Sequence, residues 1–248
     1  MPKQNNEVDF ANRLDNMSKV DTYKSWMYSL CAPYIGKRVL EVGCGIGMFT
    51  TRFADDVEYA LCVDVEQSVV DRHATRFESY PNIESKMLDI SKDDRIEELQ
   101  KLDFDTVFSI NVLEHIEDDL AMLRSMQQMV KPGGNIVIGV PALSFLYSYM
   151  DENIGHFRRY DKNVLRQMGH MLDLECVCDR YFNFFGIPIF YLKGRKRNKK
   201  NANYSFTEMV DGNSSKIINW ATVILRPLER IFPPPFGVSE IIVFRKRI

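Results

Sequence analysis

No run in this chain of 248 residues approaches the ~20 consecutive apolar positions that a membrane-crossing helix requires. The amino terminus, Met1 to Asp9, is polar and lacks the apolar segment of a secretory signal, so a cytoplasmic protein is expected. Charge of either sign is not in excess: 32 Lys and Arg against 34 Asp and Glu leave a formal charge of -2, which gives no general attraction to polyanions and no reason to expect a nucleic-acid partner. Cysteine is sparse and odd in number. Cys31, Cys44, Cys62, Cys176 and Cys178 sit mostly within apolar runs and show no C-x-x-C spacing, which fits reduced core thiols better than a disulfide framework or a zinc knuckle. The four histidines, His73, His115, His156 and His170, show no H-E-x-x-H or related ligand spacing. Glu114, Glu117, Asp118 and Asp119 offer oxygens to a magnesium ion, but acids entering a helix are already favoured by its dipole. No metal is expected.

What is present is an alternation of strand and helix signals with short connections, the pattern of a parallel sheet covered on both faces. Strands are expected near 57–63, 83–88, 106–110 and 135–140, with helices over 66–77, 93–100 and 118–130. The last helix carries Leu120, Leu123, Met126 and Val130 on one side. Lys131-Pro132-Gly133-Gly134 then stops it. Two further strand signals, 174–181 and 240–244, come late.

The most informative stretch is Glu41-Val42-Gly43-Cys44-Gly45-Ile46-Gly47, where an apolar run, Arg38 to Val42, ends in an acid and a glycine-rich turn. Glycine tolerates positive φ and lets bare backbone approach a ligand. A dinucleotide fingerprint would place a third glycine at Met48. The E-x-G-x-G-x-G pattern instead resembles motif I of the class I S-adenosylmethionine-dependent methyltransferases. Further elements of that family follow in order over roughly 38–141. Asp64 lies 23 positions after Glu41 and resembles the acid that accepts from both ribose hydroxyls, for which a carboxylate at a strand end is chemically suited. Asp89 resembles the acid facing the adenine amino group, with Ile90 beside it. Phe104 to Ile116 resembles motif IV, whose post-strand residues Asn111, Val112 and Leu113 would line the methionine end.

The resemblance implies a doubly wound α/β fold with a seven-stranded, mostly parallel sheet in the order 3-2-1-4-5-7-6, the last strand antiparallel. It also implies S-adenosyl-L-methionine as cofactor, held by Glu41, Gly43, Cys44, Gly45, Gly47, Asp64, Val65, Asp89, Ile90, Asn111, Val112 and Leu113. Residues 1–36 are expected to form a helical segment over the cofactor site, and 37–248 the methyltransferase domain, with substrate-side regions about 142–170 and 182–236. Asp64 and Asp89 also suit simple helix capping, and Cys44 suits a turn that needs a small side chain.

A second distinctive stretch, Gly155-His156-Phe157-Arg158-Arg159-Tyr160, resembles the G-H-x-R-R-Y element of a methyltransferase subgroup found beside glycan and natural-product biosynthesis enzymes. Arginine forks with a histidine and a phenol suit an anionic acceptor, making His156, Arg158, Arg159 and Tyr160 candidate substrate residues. The arginines alternatively pair with Asp151, Glu152 or Asp161. His156 and His115 are the candidate general bases. Residues 181–192 are aromatic and apolar, and 193–200 hold six positive charges. That junction suits either a lid followed by a solvated loop or a peripheral contact with an anionic membrane or lipid-linked acceptor. Trp220, Ile224, Leu228 and Phe232 form an apolar stripe at helical spacing. The expected activity is transfer of a methyl group to a small or medium acceptor, at oxygen first, with nitrogen or carbon transfer and a non-catalytic cofactor-binding scaffold as alternatives.

Overall fold

A computed structural model describes residues 21–92, 96–195, 226–229 and 231–248. The strands are β1 (Arg38–Val42), β2 (Tyr59–Asp64), β3 (Ile83–Met87), β4 (Phe104–Ile110), β5 (Val130–Pro141), β6 (Leu174–Phe182) and β7 (Ser239–Lys246). They form one sheet in the order β3-β2-β1-β4-β5-β7-β6. β1 through β5 are parallel to their neighbours, whereas β7 runs antiparallel to both β5 and β6. The expected fold class and strand order are those observed.

Strand alternation sends successive side chains to opposite faces, and helices cover both. Leu40, Val42 and Val107 face one core, shared with Leu123 and Met126 of α5 (Asp119–Met129) and Leu165 and Met168 of α7 (Val164–Met171). Their neighbours Val39 and Phe108, with Ile241 and Val243 of β7, face the other, closed by Trp26, Met27 and Cys31 of α1 (Asp21–Cys31). α1 also reaches the chain beyond the glycine turn, where Lys24 Nζ donates to Met48 Sδ and Arg52 of α2 (Thr50–Phe53) donates to Ser25 Oγ at 3.2 Å. Further helices are α3 (Gln67–Arg76), α4 (Ile96–Gln100), α6 (Tyr149–Asn153) and α8 (Ile187–Arg195).

Several local expectations are corrected. α5 is capped by Asp118, which accepts from the Ala121 amide at 3.0 Å, but its buried stripe is Met122, Leu123, Met126 and Met129, with Leu120 only partly covered. The Lys131-Pro132-Gly133-Gly134 turn does not precede the strand; it lies inside β5, since Val130 already pairs with Phe104 before Asn135 pairs with Thr106. The ladder slips there because proline offers no N–H and Gly133 adopts φ +77°. The uniform composition of 181–192 divides in space. Tyr181 and Phe182 are buried at the end of β6, while Phe184, Phe185, Ile189 and Leu192 are exposed. Residues 196–200 of the basic run and Trp220 and Ile224 of the apolar stripe lie outside the described residues; Leu228 and Phe232 are exposed.

Gly169 in α7 packs flat against Phe244 of β7, and a Cβ there would lie 2.2 Å from the ring. In an open helix Gly→Ala gains up to about 1 kcal/mol. Here Gly169→Ala is expected to lose about 1–3 kcal/mol through overpacking, read as a lower urea midpoint; a raised midpoint would show that the ring moves aside freely.

Candidate functional site

β1 ends at Val42, and the chain turns through Gly43, Gly45 and Gly47 at φ +74°, +54° and +79°, backbone that side-chain-bearing residues rarely adopt. Gly43 and Cys44 amides donate to the Val63 carbonyl at 2.8 and 3.0 Å, pinning the turn to β2. The Gly45 amide donates to Asp64 Oδ2 at 3.0 Å, and the Glu66 amide to Oδ1 at 3.2 Å. Asp64 therefore braces the glycine turn and the entry to α3 while standing at the carboxyl end of its strand. Its pKa is raised by burial, with those backbone hydrogen bonds opposing.

Glu41 lies beneath the turn. Its carboxylate accepts from Thr50 Oγ1 at 2.5 Å, Thr50 meets His73 Nε2 at 2.9 Å, and His73 Nδ1 meets Ser85 Oγ at 2.7 Å. Burial raises Glu41 to about 7, with the Thr50 and Cys62 hydrogen bonds opposing. This acid holds the floor of the turn through a polar network of Thr50, His73 and Ser85, none of which stands out by sequence spacing. Burial also pushes the Cys44 thiol far up, so it is no nucleophile.

Asp89 follows β3 and accepts from the Ser91 amide and hydroxyl at 3.0 and 2.5 Å. Burial opposes ionisation, but those bonds and Lys92 hold its pKa below the usual range. Ile90 turns its side chain into the core and Val65 is exposed. Beyond β4, Asn111 takes φ +57° and its amide donates to the Gly139 carbonyl at 2.8 Å. A Cβ on Gly43 would lie 2.3 Å from Val112 Cγ2, so the glycine turn and the post-β4 segment touch. Leu113 is buried. Asp64, Asp89, the turn and 111–113 thus gather at the carboxyl ends of β1 to β4, around the point where the strand order reverses, the usual ligand crevice of open α/β sheets.

Two residues past Val112 begins a second constellation. Asp151, buried in α6 behind a capping box with Ser148, accepts on Oδ1 from His156 Nδ1 at 3.0 Å and from Arg159 Nε at 2.8 Å. Despite the cost of burial, these two partners hold its carboxyl below the usual range. His156 Nε2 lies 3.7 Å from Glu114 Oε1. The His115 ring meets that of His156 edge-on, centroids 4.6 Å apart, and its Nδ1 is 3.2 Å from the Gly155 carbonyl. Although His115 is exposed at the surface, desolvation of its ring by the surrounding protein and the neighbouring His156 lower its pKa to about 4. Glu114 is fully buried, and neither carboxylate oxygen has a hydrogen-bond partner; desolvation raises it to about 8.

Of the four candidate substrate residues, the fold brings His156 and Arg159 onto Asp151, and only His156 keeps a ring nitrogen without a hydrogen-bond partner in the cluster. Arg159 is buried on Asp151 with its guanidinium over Phe190. Arg158 binds Asp119 at 2.7 Å and the Glu117 carbonyl at 2.7 Å. Tyr160 is 1 % exposed, its hydroxyl donating to Asp119 Oδ2 at 2.9 Å and to the Leu113 carbonyl at 3.2 Å. These three hold the loop instead of presenting free polar groups. Sequence reasoning weighed Glu114 only as one of four acids for a magnesium ion and offered Asp151 as one of three partners for the arginines; Arg159 takes Asp151, whereas Arg158 takes Asp119, which was not among the three, and Asp161 is occupied by the Ser144 amide at 2.8 Å.

Residues 40–136 match the family described as "Methyltransferase domain". An uncharacterized methyltransferase of Mycobacterium bovis is 35% identical over 100 residues, 40% of this chain and 48% of that protein. The ubiquinone biosynthesis O-methyltransferase of Acinetobacter baumannii is 27% identical over 114 residues, 45% of this chain and 47% of that protein. The chain therefore spans about half the length of the curated relatives it matches. Among solved structures, phosphoethanolamine N-methyltransferase 2 of Haemonchus contortus in complex with S-adenosyl-L-methionine superposes with a TM-score of 0.57 at 16% identity, covering 91% of this chain and 53% of that one. Residues 40–136 are thus similar to a methyltransferase domain, and the seven-stranded sheet shares the Rossmann-like fold of such structures.

Two outcomes follow from the buried charges. Removing one partner of a buried pair strands the other, so Arg159→Ala should lower unfolding free energy by about 3 kcal/mol, whereas Arg158→Ala, at a more solvated pair, should cost about 1 kcal/mol or less; equal losses in urea unfolding would contradict the assignment. Glu41 and Glu114, at about 7 and 8, and Glu240, raised by burial to about 8, all stand above the carboxyl value of 4.5. The folded state therefore holds more protons, and stability should fall as pH rises through those folded values. His73 and His115, both lowered from 6.5 to about 4, act oppositely only below about 6.5. Stability should accordingly decline from pH 6.5 to 8.5, and less so in Glu114→Gln; a flat profile over that range would argue against these buried carboxyls.

Proposed function

We propose that this protein transfers the methyl group of S-adenosylmethionine to an oxygen of a small or medium-sized acceptor. The donor set fits the cofactor. Asp64 offers a carboxylate to a ribose diol, Asp89 and the Ile90 backbone face the adenine side, and the 43–47 backbone with 111–113 would flank the methionine portion. When bound, the cofactor supplies a methyl already activated on a sulfonium, so transfer is an in-line SN2 displacement whose main requirement is alignment.

The observation that carries the acceptor side is the Asp151–His156 hydrogen bond beside Glu114 and His115. With Nδ1–H held by Asp151, His156 Nε2 is left as the lone pair that takes a proton from an acceptor hydroxyl. The likeness to an O-methyltransferase supports oxygen over nitrogen. Because both arginines are already paired, a neutral hydroxyl acceptor, as in glycans or natural products, fits better than an anionic one.

Calorimetry should detect S-adenosylhomocysteine and not NAD, with Asp64→Asn weakening binding by about 1.5–3 kcal/mol. Against a panel of hydroxyl, amine and carboxylate acceptors, labelled methyl should appear on a hydroxyl, and His156→Ala should lower kcat by about 100-fold or more at unchanged S-adenosylhomocysteine affinity. Binding of NAD alone would end the methyltransferase reading. Cofactor binding with no methylated product would favour a scaffold, and labelling confined to amines would move the acceptor atom to nitrogen.

A further inference from the structure

Glu114 occupies a place where a carboxylate is costly: it is fully buried and neither oxygen finds a hydrogen bond. Buried carboxylates are normally paired, hydrogen-bonded or bound to a metal. The His156 Nε2 atom beside it, at 3.7 Å, is too distant for a hydrogen bond. A carboxylate oxygen of Glu114 and one nitrogen each of His115 and His156 all lie within 4.8 Å of one another.

Both imidazoles are fixed from behind. His156 Nδ1 is held by Asp151 and His115 Nδ1 by the Gly155 carbonyl, which leaves each Nε2 as a lone-pair donor. Carboxylate–histidine and carbonyl–histidine supports of this kind orient metal-ligating imidazoles and raise their basicity. Ligand atoms about 2.0–2.2 Å from a shared ion lie roughly 3–3.5 Å apart, close to the 3.7 Å that separates His156 Nε2 from Glu114 Oε1. The other cluster of potential ligands, Glu41, Cys62 and His73, differs in that Thr50 and Ser85 already bridge its polar groups.

We propose that Glu114, His115 and His156 bind a divalent first-row transition cation, leaving coordination positions open to an acceptor oxygen. Two neutral imidazoles and one carboxylate suit zinc, iron(II), cobalt(II) or manganese(II). The acceptor's role rests on the function proposed above; cation binding does not. With the cation bound, the His156 lone pair is engaged as a ligand and its base role belongs to the cation-free protein; a hydroxyl bound to the cation is acidified and releases its proton to water. Its lone pair then forms the O–CH3 bond as the C–S bond breaks and that pair remains on sulfur.

The test uses the full chain, stripped with chelator and titrated with CoCl2 while visible absorption is recorded, with ZnCl2 as competitor. One equivalent should bind with the spectrum of nitrogen and oxygen ligation and no near-ultraviolet thiolate band. Glu114→Gln and His115→Ala should each weaken it by about tenfold or more; His115, partly at the surface, tests the idea should Glu114→Gln fold poorly. Absence of binding, unchanged affinity in His115→Ala, or a thiolate band abolished by Cys62→Ser would overturn the site. S-adenosylhomocysteine calorimetry on the same samples separates the two ideas: cobalt binding without cofactor binding removes only the methyltransferase reading, and the reverse removes only the cation site.

Discussion

β1 and β4 lie side by side although they are far apart in the chain, with Val39 on Thr106 and Val42 on Ser109, and the site depends on that pairing. The chain leaves β1 toward β2 and leaves β4 toward β5, in opposite directions across the sheet. The divergence opens a crevice at the strands' carboxyl ends. It also brings the glycine turn against Val112, at a distance only a residue without Cβ can accept. Glu114 and His115 follow within one turn of that contact, so the backbone constraint at the glycine turn also positions the cluster that Glu114 and His115 form with His156.

The loop from α6 to Tyr160 is held by polar contacts that contribute more to geometry than to stability. A buried ion pair such as Asp151–Arg159 recovers little beyond the cost of its own desolvation. What it does here is hold Asp151 ionised and immobile, and Asp151 in turn fixes the His156 tautomer. The Phe157 amide on the Glu114 carbonyl at 2.8 Å and the Tyr160 hydroxyl on Asp119 tie the same loop to the segment after β4. The histidine is thus restrained from three sides.

How much of this was legible varied with the range of the interactions. The glycine turn, Asp64 and the strand ladder were readable because φ preference, strand-end acids and period-two burial are local properties. Glu114 was not, since beside Glu117, Asp118 and Asp119 it resembles one more acid entering a helix; only the fold shows that its side chain turns inward while Asp118 caps α5. Arg158 and Arg159 are adjacent and chemically alike, yet one meets partly buried Asp119 and the other is sealed onto Asp151. Composition could not separate them, because the separation comes from α6, whose placement is tertiary. The inclusion of Pro132 in β5 was hidden for a similar reason: a ladder can absorb a missing N–H through a slip that no single-strand pattern reveals.

These contacts also set the electrostatic character of the loop around His156. The guanidinium of Arg159 is matched by Asp151 and that of Arg158 by Asp119, so neither presents an open fork to an anion. What remains is Glu114 with two imidazoles whose Nδ1 atoms are engaged, a group suited to holding a proton or a cation. Two arginines that suggest anion binding in the linear sequence are thus each matched by a carboxylate in the fold, because pairing inside the loop engages them before any ligand arrives.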